Sequence, residues 1–147
     1  MEAPFPTVGE VMQSDPRTIE GMASVSEALA VMRAHNYTCL VVPRRDERDE
    51  YGLLQITDIA REVISKNRPL SRTNVYEVMT KPAPALDKDM SVKYAIRHMN
   101  RFGLTHCVVL SGRDLAGIVT LKTMTYCYLN ALEEKKALEA KKKDLED

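Results

Sequence analysis

The chain has 147 residues, 44% hydrophobic and 29% charged, with 21 basic and 21 acidic side chains and so no net formal charge. This is ordinary globular composition, without the basic footprint of a nucleic-acid binder. No apolar run approaches the roughly 20 residues that span a bilayer, and the opening Met-Glu-Ala-Pro-Phe-Pro lacks a signal-peptide pattern. Cys39, Cys107 and Cys127 are odd in number and lie in apolar surroundings, which suits buried thiols in a reducing cytosol and not a disulfide framework. A cytoplasmic protein is expected, with neither membrane nor nucleic acid among its partners.

In chain order, the motif Val8-Gly-Glu-Val-Met12 precedes a predicted short strand around Arg17–Glu20. A helix follows. Ser24 is its N-cap, with Glu27 at capping-box spacing, and Val25, Ala28, Leu29 and Met32 fall on one face. Asn36, which tolerates a left-handed backbone, closes it. Cys39–Pro43 is an apolar strand, and the charged loop Arg44 to Glu50, a solvated hairpin tip, leads to a second strand at Gly52–Ile56. Thr57 is the predicted N-cap of a second helix, with Ile59, Ala60, Val63 and Ile64 as its apolar face. Residues 67–74 read as a polar linker.

The order then repeats. Val75-Tyr-Glu-Val-Met79 copies the first motif at an offset of 67 residues. A strand is predicted around Pro84–Asp87. The helix after Ser91 carries Val92, Ala95, Ile96 and Met99, with Gly103 at its end. Cys107–Leu110 and Gly117–Leu121 are strands joined by the tight turn Ser111-Gly-Arg-Asp114, and Met124, Cys127, Tyr128 and Ala131 line the last helix. Eleven of the 36 positions from Val8 to Pro43 are identical in the copy, mostly apolar ones. The pattern divides the chain into repeats at 8–66 and 75–130, the linker 67–74, and a tail at 131–147. Eleven of the fifteen residues from Glu133 to Asp147 are charged, which extends the last helix as a solvated tail, with dimer contacts as the other reading.

Val-x-x-Val-Met, Ser-Val-x-x-Ala-x-x-x-Met and Gly52-Leu-Leu-x-x-Thr-Asp-Ile, in this order and duplicated, resemble CBS domains over residues 8–130. The resemblance implies an α/β (α+β) fold. Two βαββα repeats pack sheet to sheet about a pseudo-twofold axis as a Bateman module, followed here by a C-terminal helical extension. It implies a non-catalytic regulatory module whose clefts bind an adenosine-containing ligand: AMP, ADP, ATP or S-adenosylmethionine. Two such modules join as a homodimer, for which Ile59, Val63, Ile64, Met124 and Tyr128 are the expected apolar faces. Regulation is expected to act on a separate effector protein.

The family's ribose-binding signature stands here as Thr57-Asp58, a carboxylate for the ribose hydroxyls at the positive end of a helix dipole. The resemblance places Leu53, Gln55, Ala83, Pro84, Leu104, Thr105 and His106 at the same ligand. Pro84 and Leu104 would sandwich an adenine, and His106 would touch a phosphate. The copy has Lys122-Thr123 in place of Thr57-Asp58, so the second cleft, with Arg17, Tyr37, Thr38 and Thr123, is expected to be weaker. Lys122 would reach the phosphate in the first cleft. Thr-Asp is also a common helix start, and His106 an ordinary strand residue.

The sequence shows no catalytic constellation. It has no C-x-x-C, no H-x-x-x-H and no G-x-x-x-x-G-K, and His106 and Cys107, adjacent on a strand, point to opposite faces. Neither a metal nor a resident cofactor is expected. A scaffold that dimerises or docks without a ligand is the alternative.

Overall fold

Each copy of the Val-x-Glu-Val-Met motif folds away from the repeat it precedes in sequence. The computed structural model describes residues 5–146; the first four residues of the opening hexapeptide and the last residue of the tail lie outside the described residues. Its backbone falls into a central unit, residues 15–84, and a terminal unit, residues 5–14 and 85–146. Val75 is buried in the central core with Val25, Ala28 and Met32. Val8 is buried in the terminal core with Val92, Ala95 and Met99. The folding units therefore divide the chain differently from the sequence repeats.

The terminal unit contributes the first elements, α1 (Val8–Val11) and β1 (Gln13–Ser14). In the central unit, α2 (Val25–His35) starts where the sequence places it: the Ser24 hydroxyl accepts the Glu27 N–H at 3.0 Å, and Asn36 closes the helix at φ 54°. Strands β2 (Cys39–Val42) and β3 (Gly52–Gln55) pair antiparallel, from Cys39 opposite Gln55 to Val42 opposite Gly52. The strand expected at Arg17–Glu20 shrinks to one parallel bridge between Thr18 and Val41.

β3 runs directly into α3 (Ile56–Ile59), which widens into a π turn over Ala60–Ile64. There the Ser65 N–H reaches the Ala60 carbonyl at 3.0 Å. The extra residue per turn rotates the expected face: Ile59 and Val63 are buried, whereas Ala60 is exposed and Ile64 is 56% exposed. Residues 67–74 are no free tether. Thr73 is buried with its hydroxyl donating to the Pro69 carbonyl at 2.8 Å, and Leu70 packs on the core.

The terminal unit holds a four-stranded sheet in the order β1-β6-β5-β4, where β4 is Ala85–Asp87, β5 His106–Ser111 and β6 Asp114–Thr120. β4 runs parallel to β5, and the other pairs are antiparallel. β1 was not expected from sequence. The turn between β5 and β6 needs Gly112, at φ 63°. Helix α4 (Val92–Arg101) ends before Gly103, at φ 64°. Helix α5 runs unbroken from Leu121 to Glu146, joining the predicted last helix to its charged tail.

Burial also corrects the faces assigned to dimerisation. Ile59, Val63 and Met124 are 0% exposed within the single chain, which leaves only Ile64 and the half-buried Tyr128 of that set for any partner.

Candidate functional site

The helix start after β3 carries a buried carboxylate, Asp58. Gln55, not Thr57, is the N-cap, and Asp58 is the third helical residue. The Asp58 carboxylate reaches back: one oxygen accepts the Gln55 N–H at 2.9 Å, and the other accepts from Arg61 Nη2 at 2.9 Å. The side chain is only 6% exposed, while that of Arg61 is 64% exposed. A carboxylate offers about four acceptor positions. With one donor per oxygen, Asp58 is held rigid and retains capacity for two more. Thr57, one position earlier, is exposed.

Thr38 belongs to the same end of the hairpin, since its carbonyl accepts the Ile56 N–H at 2.9 Å. Beside it stands an aromatic–cation cluster: the Tyr37 ring stacks on His35 with centroids 5.6 Å apart, and the Arg17 guanidinium lies 5.8 Å from the Tyr37 centroid. Arg17 also approaches His35 Nδ1 at 3.4 Å. Leu53 is fully buried, and its N–H and carbonyl are both bonded to Thr80. Ala83 is half-buried, with its N–H on the Tyr51 carbonyl at 2.7 Å, and Pro84 ends the unit half-buried.

The remaining residues singled out in the sequence lie in the terminal unit. Leu104 packs against its core. Thr105 Oγ1 and His106 Nδ1 are 2.9 Å apart. The Thr105 carbonyl accepts the Leu121 N–H at 2.9 Å, which repeats the Thr38–Ile56 bond. Lys122 and Thr123 are exposed at the start of α5. The Thr120 hydroxyl accepts the Thr123 N–H at 3.1 Å, so this helix is capped without a carboxylate.

Two contributors escaped the sequence reading. Arg61 anchors Asp58 from one turn on, a pairing visible as i, i+3 spacing. His35 joins Tyr37 only through the reversal at Asn36, for which no spacing rule exists. Two of the thiols are chemically quiet: burial raises the pKa of Cys39 to about 11 and that of Cys107 to about 12. Among the described residues no helix is long and apolar enough to cross a membrane.

Comparison with known proteins agrees with this architecture. The CBS domain family model matches twice, at residues 8–65 and 75–129. A Methanopyrus kandleri protein, MK0525, is 26% identical over 118 residues, covering 79% of this chain and 59% of its own length. The chain spans between 30% and 59% of the length of the curated relatives it matches. Among solved structures, the hexameric CBS-CP12 protein from bloom-forming cyanobacteria superposes with a TM-score of 0.78 at 28% identity, over 82% of this chain and 69% of that one. The CBS domain pair of protein MJ0100, solved in complex with 5′-methylthioadenosine and S-adenosyl-L-methionine, gives a TM-score of 0.74 at 22% identity, over 87% and 99% of the two chains. The chain belongs to the CBS domain family, as a tandem pair of CBS repeats.

Proposed function

We propose that this regulatory module senses an adenosine-containing ligand, AMP, ADP, ATP or S-adenosylmethionine, held at the helix start formed by Gln55, Thr57 and Asp58. The observation that carries the reading is the Asp58 carboxylate: fixed by one donor on each oxygen, it has acceptor capacity left for a ribose diol. The exposed Thr57 hydroxyl and the helix N-terminus suit a phosphate. The complexed MJ0100 pair is in accord, since the same fold there holds two adenosine compounds. Within the central unit the proposal gives Pro84 to the adenine, and Arg17, Tyr37 and Thr38 to a weaker second site. It includes no catalysis, a homodimer, a separate effector protein and a cytoplasmic setting, for which the buried Cys107 and the half-buried Cys39 suit a reducing compartment.

Calorimetric titration with the four ligands tests this. Asp58→Asn keeps the shape and removes the charge; hydrogen bonds to a charged group are worth about 1.5–3 kcal/mol, so affinity should fall at least tenfold. Light scattering reads the dimer. The second reading, a ligand-free scaffold, draws on the same carboxylate, whose two oxygens already have partners within the helix. It wins if none of the four compounds binds at millimolar concentration.

A further inference from the structure

We propose that the central unit carries a second ligand site, at the opposite end of its β-hairpin from Asp58, for a small anion with an apolar or aromatic body. The hairpin ladder runs from Cys39–Gln55, beside the Asp58 helix start, to Val42–Gly52. Those ends are three residues, about 10 Å, apart along the strand. At the Val42 end lies a cleft of about 670 Å³, within the 300–1,000 Å³ usual for small-molecule sites. Val42 and Met79 line it together with Tyr76 and Met22, of which Tyr76 is 50% and Met22 75% exposed. Arg44, Arg45 and Lys81 supply three cations against one lining carboxylate, Glu20.

The loop bearing two of these cations is built, not loose. Asp49, with a side chain only 11% exposed, accepts from the Arg45 backbone at 3.0 Å, from Arg45 Nε at 3.2 Å and from Lys81 Nζ at 2.8 Å. Asp46 accepts the N–H groups of Arg48 and Asp49. Arg44 lies 5.0 Å over the Tyr51 ring. One internal carboxylate thus sets the positions of two cleft cations.

The duplicated unit serves as an internal control. The backbone bond that frames the cleft, Tyr76 N–H to the Gly21 carbonyl at 2.9 Å, recurs as Gly9 N–H to the Lys88 carbonyl at 2.8 Å. The contents do not recur. At the sequence offset of 67, Arg44, Arg45 and Lys81 become Ser111, Gly112 and Ser14, and Tyr76 and Met22 become Gly9 and Asp89. A Cβ on Gly9 would meet the Lys88 carbonyl at 3.0 Å, so the copy has no ready room for a side chain where Tyr76 lines the cleft. The fold therefore requires neither the cations nor the apolar wall. Their joint presence on one copy is what a ligand with a charged end and an apolar body would use.

The site stands independently of the adenosine reading, and amide NMR on the intact chain separates the two. Phenyl phosphate and benzoate are expected to move the amides of Gly21, Met22, Tyr76 and Lys81 and to leave Thr57 and Asp58 in place. Benzyl alcohol at equal concentration should not move them. Arg44→Ser, the residue found in the copy, should weaken phenyl phosphate at least fivefold. Tyr76→Ala should weaken phenyl phosphate and leave inorganic phosphate unchanged. The proposal is overturned if the four amides do not respond, if benzyl alcohol binds as tightly as benzoate, or if folded Arg44→Ser protein binds phenyl phosphate as the parent does.

Discussion

The two helix starts, Gln55-Ile-Thr-Asp58 and Thr120-Leu-Lys-Thr123, solve one backbone problem with different side chains. In the central unit the cap is reciprocal: the Gln55 side chain accepts the Asp58 N–H, and the Asp58 carboxylate reaches back to accept the Gln55 N–H at 2.9 Å. In the terminal unit the N-cap reaches forward, the Thr120 hydroxyl accepting the Thr123 N–H at 3.1 Å. Both starts keep the same strand-to-helix bond, from Ile56 to Thr38 and from Leu121 to Thr105, at 2.9 Å each. Duplication has preserved the frame and freed the side chains. Capping needs no carboxylate here, so Asp58 brings a charge that the helix start itself does not require.

The glycines that let the Val-x-x-Val-Met motifs dock give the largest expected contrast between the units. A Cβ on Gly117 would lie 2.6 Å from the Gln13 carbonyl and 2.7 Å from Met12 Sδ. A Cβ on Gly52 would meet Met79 Sδ at 2.7 Å and Val42 Cβ at 3.2 Å, but no backbone atom at the shorter distance. The Met79 thioether can swing aside; the Gln13 backbone is held by its pairing with Ile118. Overpacking costs about 1–3 kcal/mol. Gly117→Ala should fall at the upper end of that range and Gly52→Ala at the lower. Denaturant unfolding of both variants reads the difference, and equal losses would mean that the two docking sites are equally adaptable.

The next contrast separates the cap from the ligand. Asp58→Ala removes the back-reaching half of the capping box and a buried partner of Arg61, and should cost about 1–2 kcal/mol; Thr120→Ala should cost about 1 kcal/mol. Installing the terminal unit's solution in the central one, as Gln55→Thr with Asp58→Thr, should recover most of that stability without restoring a carboxylate. Nucleotide binding should stay lost. Thermal melts and calorimetry on the same samples test both halves. A double variant that is stable and still binds nucleotide would remove Asp58 from the site.

How much of this was legible depends on the range of the interaction. The Ser24 cap, the left-handed residues at Asn36 and Gly103, and the Val-x-x-Ala-x-x-x-Met stripes are local, and periodicity with capping rules finds them. The exchange of the Val-x-Glu-Val-Met segments is not local. Val8 and Val75 are isosteric and both cores accept a Val, so no pattern says which core receives which. The π turn at Ala60–Ile64 also escaped, because a 3.6-residue period assigns Ala60 and Ile64 to the face that the wider turn releases. Within the candidate site, Asp58 was visible and its burial was not. A cleft-edge carboxylate and a buried, Arg61-paired cap share one sequence. The loop Arg44 to Glu50 read as a solvated tip, since its ordering rests on Lys81, 32 residues from Asp49.

That loop carries the smallest expected effect, which concerns acid. The hydrogen bond from Lys81, then that from the Arg45 backbone, holds the Asp49 carboxyl well below the ordinary carboxylate range. Because the folded pKa lies below the unfolded one, the contribution is fully present above the unfolded value of about 3.9 and fades as pH falls through the folded value. Asp49 should therefore remain ionised near pH 3, where exposed carboxylates without partners have largely protonated. Carbon-detected NMR of the carboxyl groups should show Asp49 titrating below the ordinary carboxylate range. Lys81→Met should move it upward, because the first of its causes is gone. If Asp49 titrates in the ordinary carboxylate range, or if Lys81→Met leaves its titration unchanged, the loop is not fixed from below, and the cleft cations lose their common anchor.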